Sequence, residues 1–297
     1  MFSSLFEKKM LFISGKGGTG KSTVAAILAI MAAQSGKRVL IAESHAFDKV
    51  SPIFGKKPAG HEETSIAPGI SCINLDAKRC FAEYVSLHLG MESLYKRVFR
   101  NQVVSSFLDA IPGLDEAMIL GRLFYTCELR TPAKYDLIIF DSPASGHFIN
   151  LMATPDTIIQ TGLVGPLVNE LKRTRDFLAD EQKCAGIIVT LPEALAMSET
   201  LEFLPIFIQK VPVALNSIIL NRDYSYFRKN EALPPAIASY GARKKQESDK
   251  SRETLLETLA KNTLKFHIYS MPNCEQVPEP LDASQLGDML PLFEKLA

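Results

Sequence analysis

Nine consecutive residues, Gly15-Lys16-Gly17-Gly18-Thr19-Gly20-Lys21-Ser22-Thr23, carry the densest chemistry in the chain. A glycine, four residues, then Gly-Lys-Ser is the pattern of a loop that cradles a triphosphate. Gly15, Gly17, Gly18 and Gly20 allow backbone N–H groups to turn inward around phosphate oxygens. Lys21 is aimed at the β- and γ-phosphates, the Ser22 hydroxyl at Mg²⁺, and Thr23 at the α-phosphate. A second cation, Lys16, stands directly after the first glycine. Lys21 already serves the loop's own nucleotide, so a cation at the mouth of the loop is better placed to reach another subunit's nucleotide. The chemistry these residues predict is binding of ATP with Mg²⁺ and transfer of its terminal phosphoryl group to water. The bland alternative is a glycine turn with no ligand.

Phosphoryl transfer also needs an acid near the metal and a group that positions water. The apolar run Leu137-Ile138-Ile139-Phe140 ends in Asp141, at the carboxyl end of a strand where the nucleotide crevice lies. Asp141 is the candidate for holding Mg²⁺, together with Ser22. The small-residue stretch Ser142-Pro143-Ala144-Ser145-Gly146-His147 follows it and is expected to shift with the γ-phosphate, with His147 read as a structural contact. Glu43 follows a second strand and is the candidate to orient or deprotonate water, with Asp48 as runner-up and a solvated loop acid as the alternative for both. The candidate catalytic set is thus Lys16, Lys21, Glu43 and Asp141. Farther on, Asn221 ends another strand, where a carboxamide can read the donor and acceptor of adenine's edge; it could equally be a turn residue. Ser270-Met271-Pro272-Asn273 could close over the base.

A strand, a glycine loop and a helix, in that order, must position these groups. Met10–Ser14 is an unbroken apolar run, and Ser22–Ser35 is rich in alanine, leucine and isoleucine before Gly36. Further strands are predicted at Arg38–Ala42, Ile70–Leu75, Leu137–Asp141, Ala185–Leu191, Ala214–Asn221 and Lys265–Met271. Most are continuous apolar runs, as strands buried on both faces should be. Helices are predicted at Val164–Ala179, Ala196–Gln209 and Ser248–Ala260, with a last one after Asp282. The fold class that follows is α/β, a doubly wound and mostly parallel sheet forming one domain over 1–297. About sixty residues separate Leu75 from Leu137, too many for a simple crossover. Segments 77–89, 94–111 and 114–129 look helical there, so 76–132 is expected to form a helical insertion, either packed on the sheet or acting as a lid or groove for a partner.

Composition narrows the class. Lys plus Arg balances Asp plus Glu at 33 each, so no polyanionic partner, and no nucleic acid, is expected. Five scattered cysteines without a C-x-x-C pair argue against zinc and for a reducing, cytoplasmic setting. No run is long enough to span a bilayer, and no secretory leader is visible. The basic cluster Arg243-Lys244-Lys245 is interleaved with acids and reads as a solvated helix face.

These pieces in this order resemble the MinD/ArsA branch of P-loop ATPases with a deviant Walker A loop. The closest group is the anion-transporting ATPases, which include the arsenite-pump subunit and the factor that targets tail-anchored membrane proteins. Gly15–Thr23 is similar to the family loop, with the intermonomer lysine falling on Lys16, and Asp141–His147 is similar to its second switch. Thr190–Glu193 and Ser198–Thr200 resemble a stretch after the fifth strand, and Asn221 falls on the adenine-reading asparagine. The resemblance implies a P-loop fold, a homodimer closing around two ATP molecules with Lys16 crossing between subunits, and a protein client handled by the insertion. Three departures stand out. Glu43-Ser44-His45 replaces the family's Asp-Pro-Ala context, the dimer-linking zinc motif is absent, and only Cys72 and Cys80 could pair for a soft metalloid. A spatial organiser of the septum-positioning or DNA-partitioning kind and a nucleotide-binding module with little hydrolysis are the competing expectations.

Overall fold

The computed structural model describes residues 2–89, 111–162, 164–226, 235–260, 266–272 and 294–296. Nine strands form one sheet: β1 (Met10–Ser14), β2 (Val39–Glu43), β3 (Thr64–Ala67), β4 (Ile70–Asn74), β5 (Leu137–Asp141), β6 (Cys184–Thr190), β7 (Leu215–Asp223), β8 (His267–Pro272) and β9 (Glu294–Lys295). Their order is β3-β4-β2-β5-β1-β6-β7-β8-β9. Pairing is parallel from β4 through β8, and only the edge strands β3 and β9 run antiparallel.

β1 lies at the centre between β5 and β6 and is buried at all five positions. A strand covered on both faces reads as a continuous apolar run, which is why Met10–Ser14 shows no alternation. Its side chains nevertheless divide by the pleat. Leu11 and Ile13 join Val24, Ile27 and Leu28 of α2 (Lys21–Gln34) on one face. Met10 and Phe12 join Phe140, Phe148 and Phe207 on the other. α1 (Ser3–Phe6) and α3 (Val50–Ile53) pack on the α2 side. On the opposite side lie α4 (Ala77–Leu89), α5 (Leu114–Phe124), which continues as one π-helical turn to Leu129, α6 (Ser145–Gln160), α7 (Pro166–Ala179), α8 (Ala194–Lys210) and α9 (Pro235–Ala260). The doubly wound α/β architecture expected from the sequence is present.

The seven expected strands are present to within a few residues, the antiparallel edge strands β3 and β9 were not expected, and the helices show where pattern reading falls short. α6 was not anticipated, because it opens on Ser-Gly-His and carries Pro155 in its interior. α9 begins at Pro235, well before the expected Ser248; its first half is polar and buries only Ala238 and Gly241. The expected segment 94–111 and most of the expected helix after Asp282 lie outside the described residues; where that helix was expected to run on, Glu294–Lys295 instead pairs with β8 as a strand. Cys72 and Cys80 belong to the two different cores, on opposite faces of the sheet, so they cannot form the metalloid pair the sequence left open. Among the described residues no helix is long and apolar enough to cross a membrane.

Candidate nucleotide site

The glycine loop hangs between the ends of β1 and α2, and its glycines are there for space and for conformation. Gly15, at φ 144°, lies so close to β6 that a Cβ would come within 2.2 Å of the Val189 carbonyl oxygen. Gly20, at φ 86°, leaves room for the Asn221 amide, which a Cβ would meet at 2.1 Å. Both are left-handed or nearby conformations that L side chains avoid. α2 starts at Lys21 with Gly20 as N-cap and no capping side chain. Its first-turn N–H groups therefore face the loop, where an anion is their natural partner.

Lys21 spans the mouth of this cradle. Its Nζ donates to the carbonyls of Gly15 at 3.1 Å and Lys16 at 3.0 Å. Burial holds its pKa below the usual lysine value; Asp141 opposes that shift and Lys49 adds to it. A lysine kept on weak carbonyl partners in a half-dry site is ready to exchange them for phosphate oxygens.

Ser22, the second residue of α2, donates its hydroxyl to Asp141 Oδ2 at 2.5 Å. Asp141 is fully buried, and its Oδ1 has no hydrogen-bond partner. The His45 Nε2 stands 3.8 Å from Oδ2. One ligand atom each from Glu43, His45 and Asp141 lie within 4.8 Å of one another. A hard divalent cation prefers oxygen to the His45 nitrogen, and the orphaned Asp141 carboxylate oxygen beside a serine hydroxyl fits Mg²⁺. Ser142 donates to the Ile13 carbonyl at 2.5 Å, pinning the strand ends below the loop. The Ser145 N–H donates to the Gly15 carbonyl at 3.2 Å, which joins the start of α6 to the glycine loop. His147 is exposed on the first turn of α6.

Glu43 sits at the end of β2, also fully buried. Its carboxyl accepts the Lys49 N–H at 3.2 Å on each oxygen and the Val50 N–H at 3.3 Å. Burial, then a hydrogen bond with Asp48 and the nearby negative charges, push its pKa up to about 9. Asp48 is also buried, but the hydrogen bonds it receives from Glu43, Ser51 and Ala59 outweigh that and hold its pKa below the usual range. The pair thus keeps one proton, on Glu43. Asp48 in addition accepts the N–H groups of Val50 at 2.8 Å, Ser51 at 2.9 Å and Ala59 at 2.5 Å. Together the two acids organise the loop from Ser44 to Ala59. Of the two roles the sequence allowed Glu43, this geometry favours orientation: a neutral acid cannot take a proton from water.

Lys16 points away from the cradle. Its Nζ pairs with Glu199 Oε1 of α8 at 2.8 Å, and the lysine side chain is 53% exposed. Glu199 is positioned by its neighbour Thr200, whose hydroxyl bonds Thr190 at the end of β6 at 2.7 Å. A cleft of about 410 Å³ opens beside the pair, lined among others by Gly146, Ile149, Phe203 and Ile206. On the other side of the loop, Asn221 donates to the Thr19 carbonyl at 2.8 Å, and its Oδ1 accepts the Arg222 N–H at 2.9 Å. Here Asn221 braces the glycine loop.

The sequence-selected groups Lys16, Lys21, Ser22, Asp141 and Asn221 thus converge on one loop. Sequence reasoning missed Glu199 and His45 as members of the site. The pattern Ser198-Glu199-Thr200 after a strand was a signal for the first, and the position of His45 two residues beyond a strand end was one for the second. The family described as anion-transporting ATPase matches residues 8–164, just over half of the chain. The chain belongs to that family. Relatives include the ATPase BagA of Mycobacterium tuberculosis, 27% identical over 229 residues, which cover 74% of this chain and 67% of that one. Another is ATPase ASNA1 homolog 1 of Paramecium tetraurelia, 28% identical over 256 residues, which cover 72% of this chain and 74% of the relative. A third is the ATPase ASNA1 homolog of Plasmodium vivax, 27% identical over 212 residues, with 67% and 53% covered. The residues matched by the family include the whole glycine loop, Glu43 and Asp141. The protein is an ATPase.

Proposed function

We propose that this ATPase acts as a homodimer that closes around two Mg-ATP molecules and uses their hydrolysis to switch the surface it offers to a protein client. The observation that carries the reading is the divergence of two lysines. Lys21 already occupies the phosphate cradle, while Lys16 Nζ lies outside it, half-exposed and held by a glutamate. A cation placed there has no use for its own nucleotide and is free to meet a neighbour's.

Lys21 and the N–H groups at the start of α2 bind the β- and γ-phosphates, and Thr23 meets the α-phosphate. Ser22 and Asp141 hold Mg²⁺, which when bound screens the charge of the triphosphate. Glu43 with Asp48 sets the loop that bounds the γ-phosphate side, and Lys16 of the neighbour stabilises charge that develops in the transition state. The start of α6, joined to Gly15 by the Ser145 N–H, carries the change outward. We read 76–132, with α4 and α5 at its two ends, as the helical insertion that meets the client.

The test is a pair of measurements on Lys16→Ala. ATP affinity should stay within about twofold of wild type, and turnover should fall by about 10³-fold, the scale of a cation supplied in trans. Wild-type hydrolysis by this variant would defeat the dimer reading.

A further inference from the structure

Nothing in the handling of phosphate requires an imidazole beside Asp141, yet His45 puts one there. Its Nε2 lies 3.8 Å from Asp141 Oδ2, and its side chain is only 11% exposed. The Asn74 carboxamide clamps the His45 backbone at two points, which fixes the direction in which the side chain leaves the loop. Asn74 Oδ1 accepts the His45 N–H at 3.0 Å, and Asn74 Nδ2 donates to the His45 carbonyl at 3.0 Å. Asn74 can do so because β4 pairs with β2 in the register that sets Asn74 against Glu43. Among the described residues neither ring nitrogen of His45 makes a hydrogen bond. Asp141 Oδ1, fully buried beside it, makes none either. Two polar groups taken out of water and left without partners, next to each other, mark a place for something that binds both.

The spacing suits a single ion. Two ligands each about 2.1 Å from a divalent metal lie at most about 4.2 Å apart, and the 3.8 Å between His45 and Asp141 falls inside that limit. Glu43 is the third group within 4.8 Å. It keeps its proton, and its oxygens are occupied by the Lys49 and Val50 N–H groups. Asp141 and His45 therefore supply the free donors. We infer that His45 is a nitrogen ligand that tunes which divalent cation accompanies the nucleotide, raising affinity for first-row transition ions such as Co²⁺ while leaving Mg²⁺ binding unaltered. This rests on the metal–nucleotide reading above. Ser22 and Asp141 offer oxygen alone, the donor that suits Mg²⁺. An added imidazole favours ions that accept nitrogen, and Mg²⁺ gains nothing from it.

The experiment titrates Mg²⁺ and Co²⁺ calorimetrically into wild type, His45→Ala and His45→Gln, each in complex with a non-hydrolysable ATP analogue. Proton NMR is then recorded on the Co²⁺ complexes. The analogue's own affinity for each ion is common to all three proteins, so the comparison is between proteins. Both variants should bind Co²⁺ at least about tenfold more weakly than wild type, since even an outer-shell partner of a metal ligand is worth that much. Their Mg²⁺ affinity should stay within about twofold of wild type, which also shows that the site still forms. The wild-type Co²⁺ complex should carry a strongly shifted, exchangeable imidazole N–H resonance that both variants lack. Unchanged Co²⁺ affinity overturns the inference, and so does a wild-type spectrum without that resonance. Equal weakening of both ions also overturns it, because His45 would then only support the loop. A wild-type chain that retains the analogue with neither ion defeats the nucleotide reading itself, and this inference with it.

Discussion

At pH 7 the Glu43 side chain keeps its proton, since burial opposes its ionisation and Asp48 receives the hydrogen bond. In the unfolded chain the same group ionises near the ordinary glutamate value of 4.5, and in the folded protein burial pushes it up to about 9. Between those limits the folded state holds a proton that the unfolded state has released. Stability contributed by neutral Glu43 is therefore intact below about pH 4.5 and is lost as pH rises toward 9. Glu43→Gln keeps a neutral donor and removes this dependence. The variant should be more stable than wild type by about 1–3 kcal/mol near pH 8 and closer to it near pH 5, read from urea unfolding at both pH values. Parallel profiles would mean that Glu43 is ionised. Its kcat should change by less than about tenfold, whereas loss of a general base costs about 10²–10⁴. At this scale the sequence selected Lys16, Lys21, Ser22 and Asp141 by residue type and spacing, and the structure places all four around one loop. The proton shared by Glu43 and Asp48 was not legible, because it depends on burial that only the tertiary structure creates. Nor was the bracing of the glycine loop by Asn221, since the two are brought together from sequence positions 202 residues apart.

Among the elements, the segment after the Glu43–Asp48 loop is tied to α4, α5 and the residues ahead of β5 by a compact ionic cluster. Glu63 receives Lys134 at 2.6 Å, Arg130 at 2.7 Å, the Tyr135 hydroxyl at 3.1 Å and Arg122 of α5 at 3.4 Å. Arg122 also donates to Glu83 of α4 at 2.6 Å, and His61 meets the same carboxylate at 3.1 Å. The Glu63 side chain is only 10% exposed, so these bonds are poorly screened. Glu63→Gln leaves three cations facing one another and should lower stability by about 2–4 kcal/mol. Thermal unfolding at low and high salt checks this; a variant as stable as wild type in both would show the cluster to be ornamental. Glu63 meets its partners across 59 to 72 residues of sequence, and so no local pattern announced the cluster. The strands were readable because central parallel strands must be apolar throughout. α6 was hidden by Pro155, and the polar first half of α9 by the lack of an apolar stripe.

For the whole molecule, the sheet order brings β1, β5 and β2 side by side, so that the cradle, the candidate metal acid and the loop acids share one edge. Lys16 stands on the rim of that edge, beside a cleft whose lining includes Phe203 and the partly exposed Ile206. A second protomer seated there would offer its triphosphate to Lys16 in place of Glu199. Complementation between two inactive variants tests this most directly. In a mixed dimer of Lys16→Ala and Asp141→Asn subunits, the site on the Lys16→Ala subunit keeps its own Asp141 and borrows the partner's Lys16. Phosphate release should be near background for each variant alone. An equimolar mixture, allowed to exchange subunits, should recover about a quarter of the wild-type rate, since half of the dimers are mixed and each has one live site. A mixture that remains as inactive as its components would contradict a lysine acting between subunits.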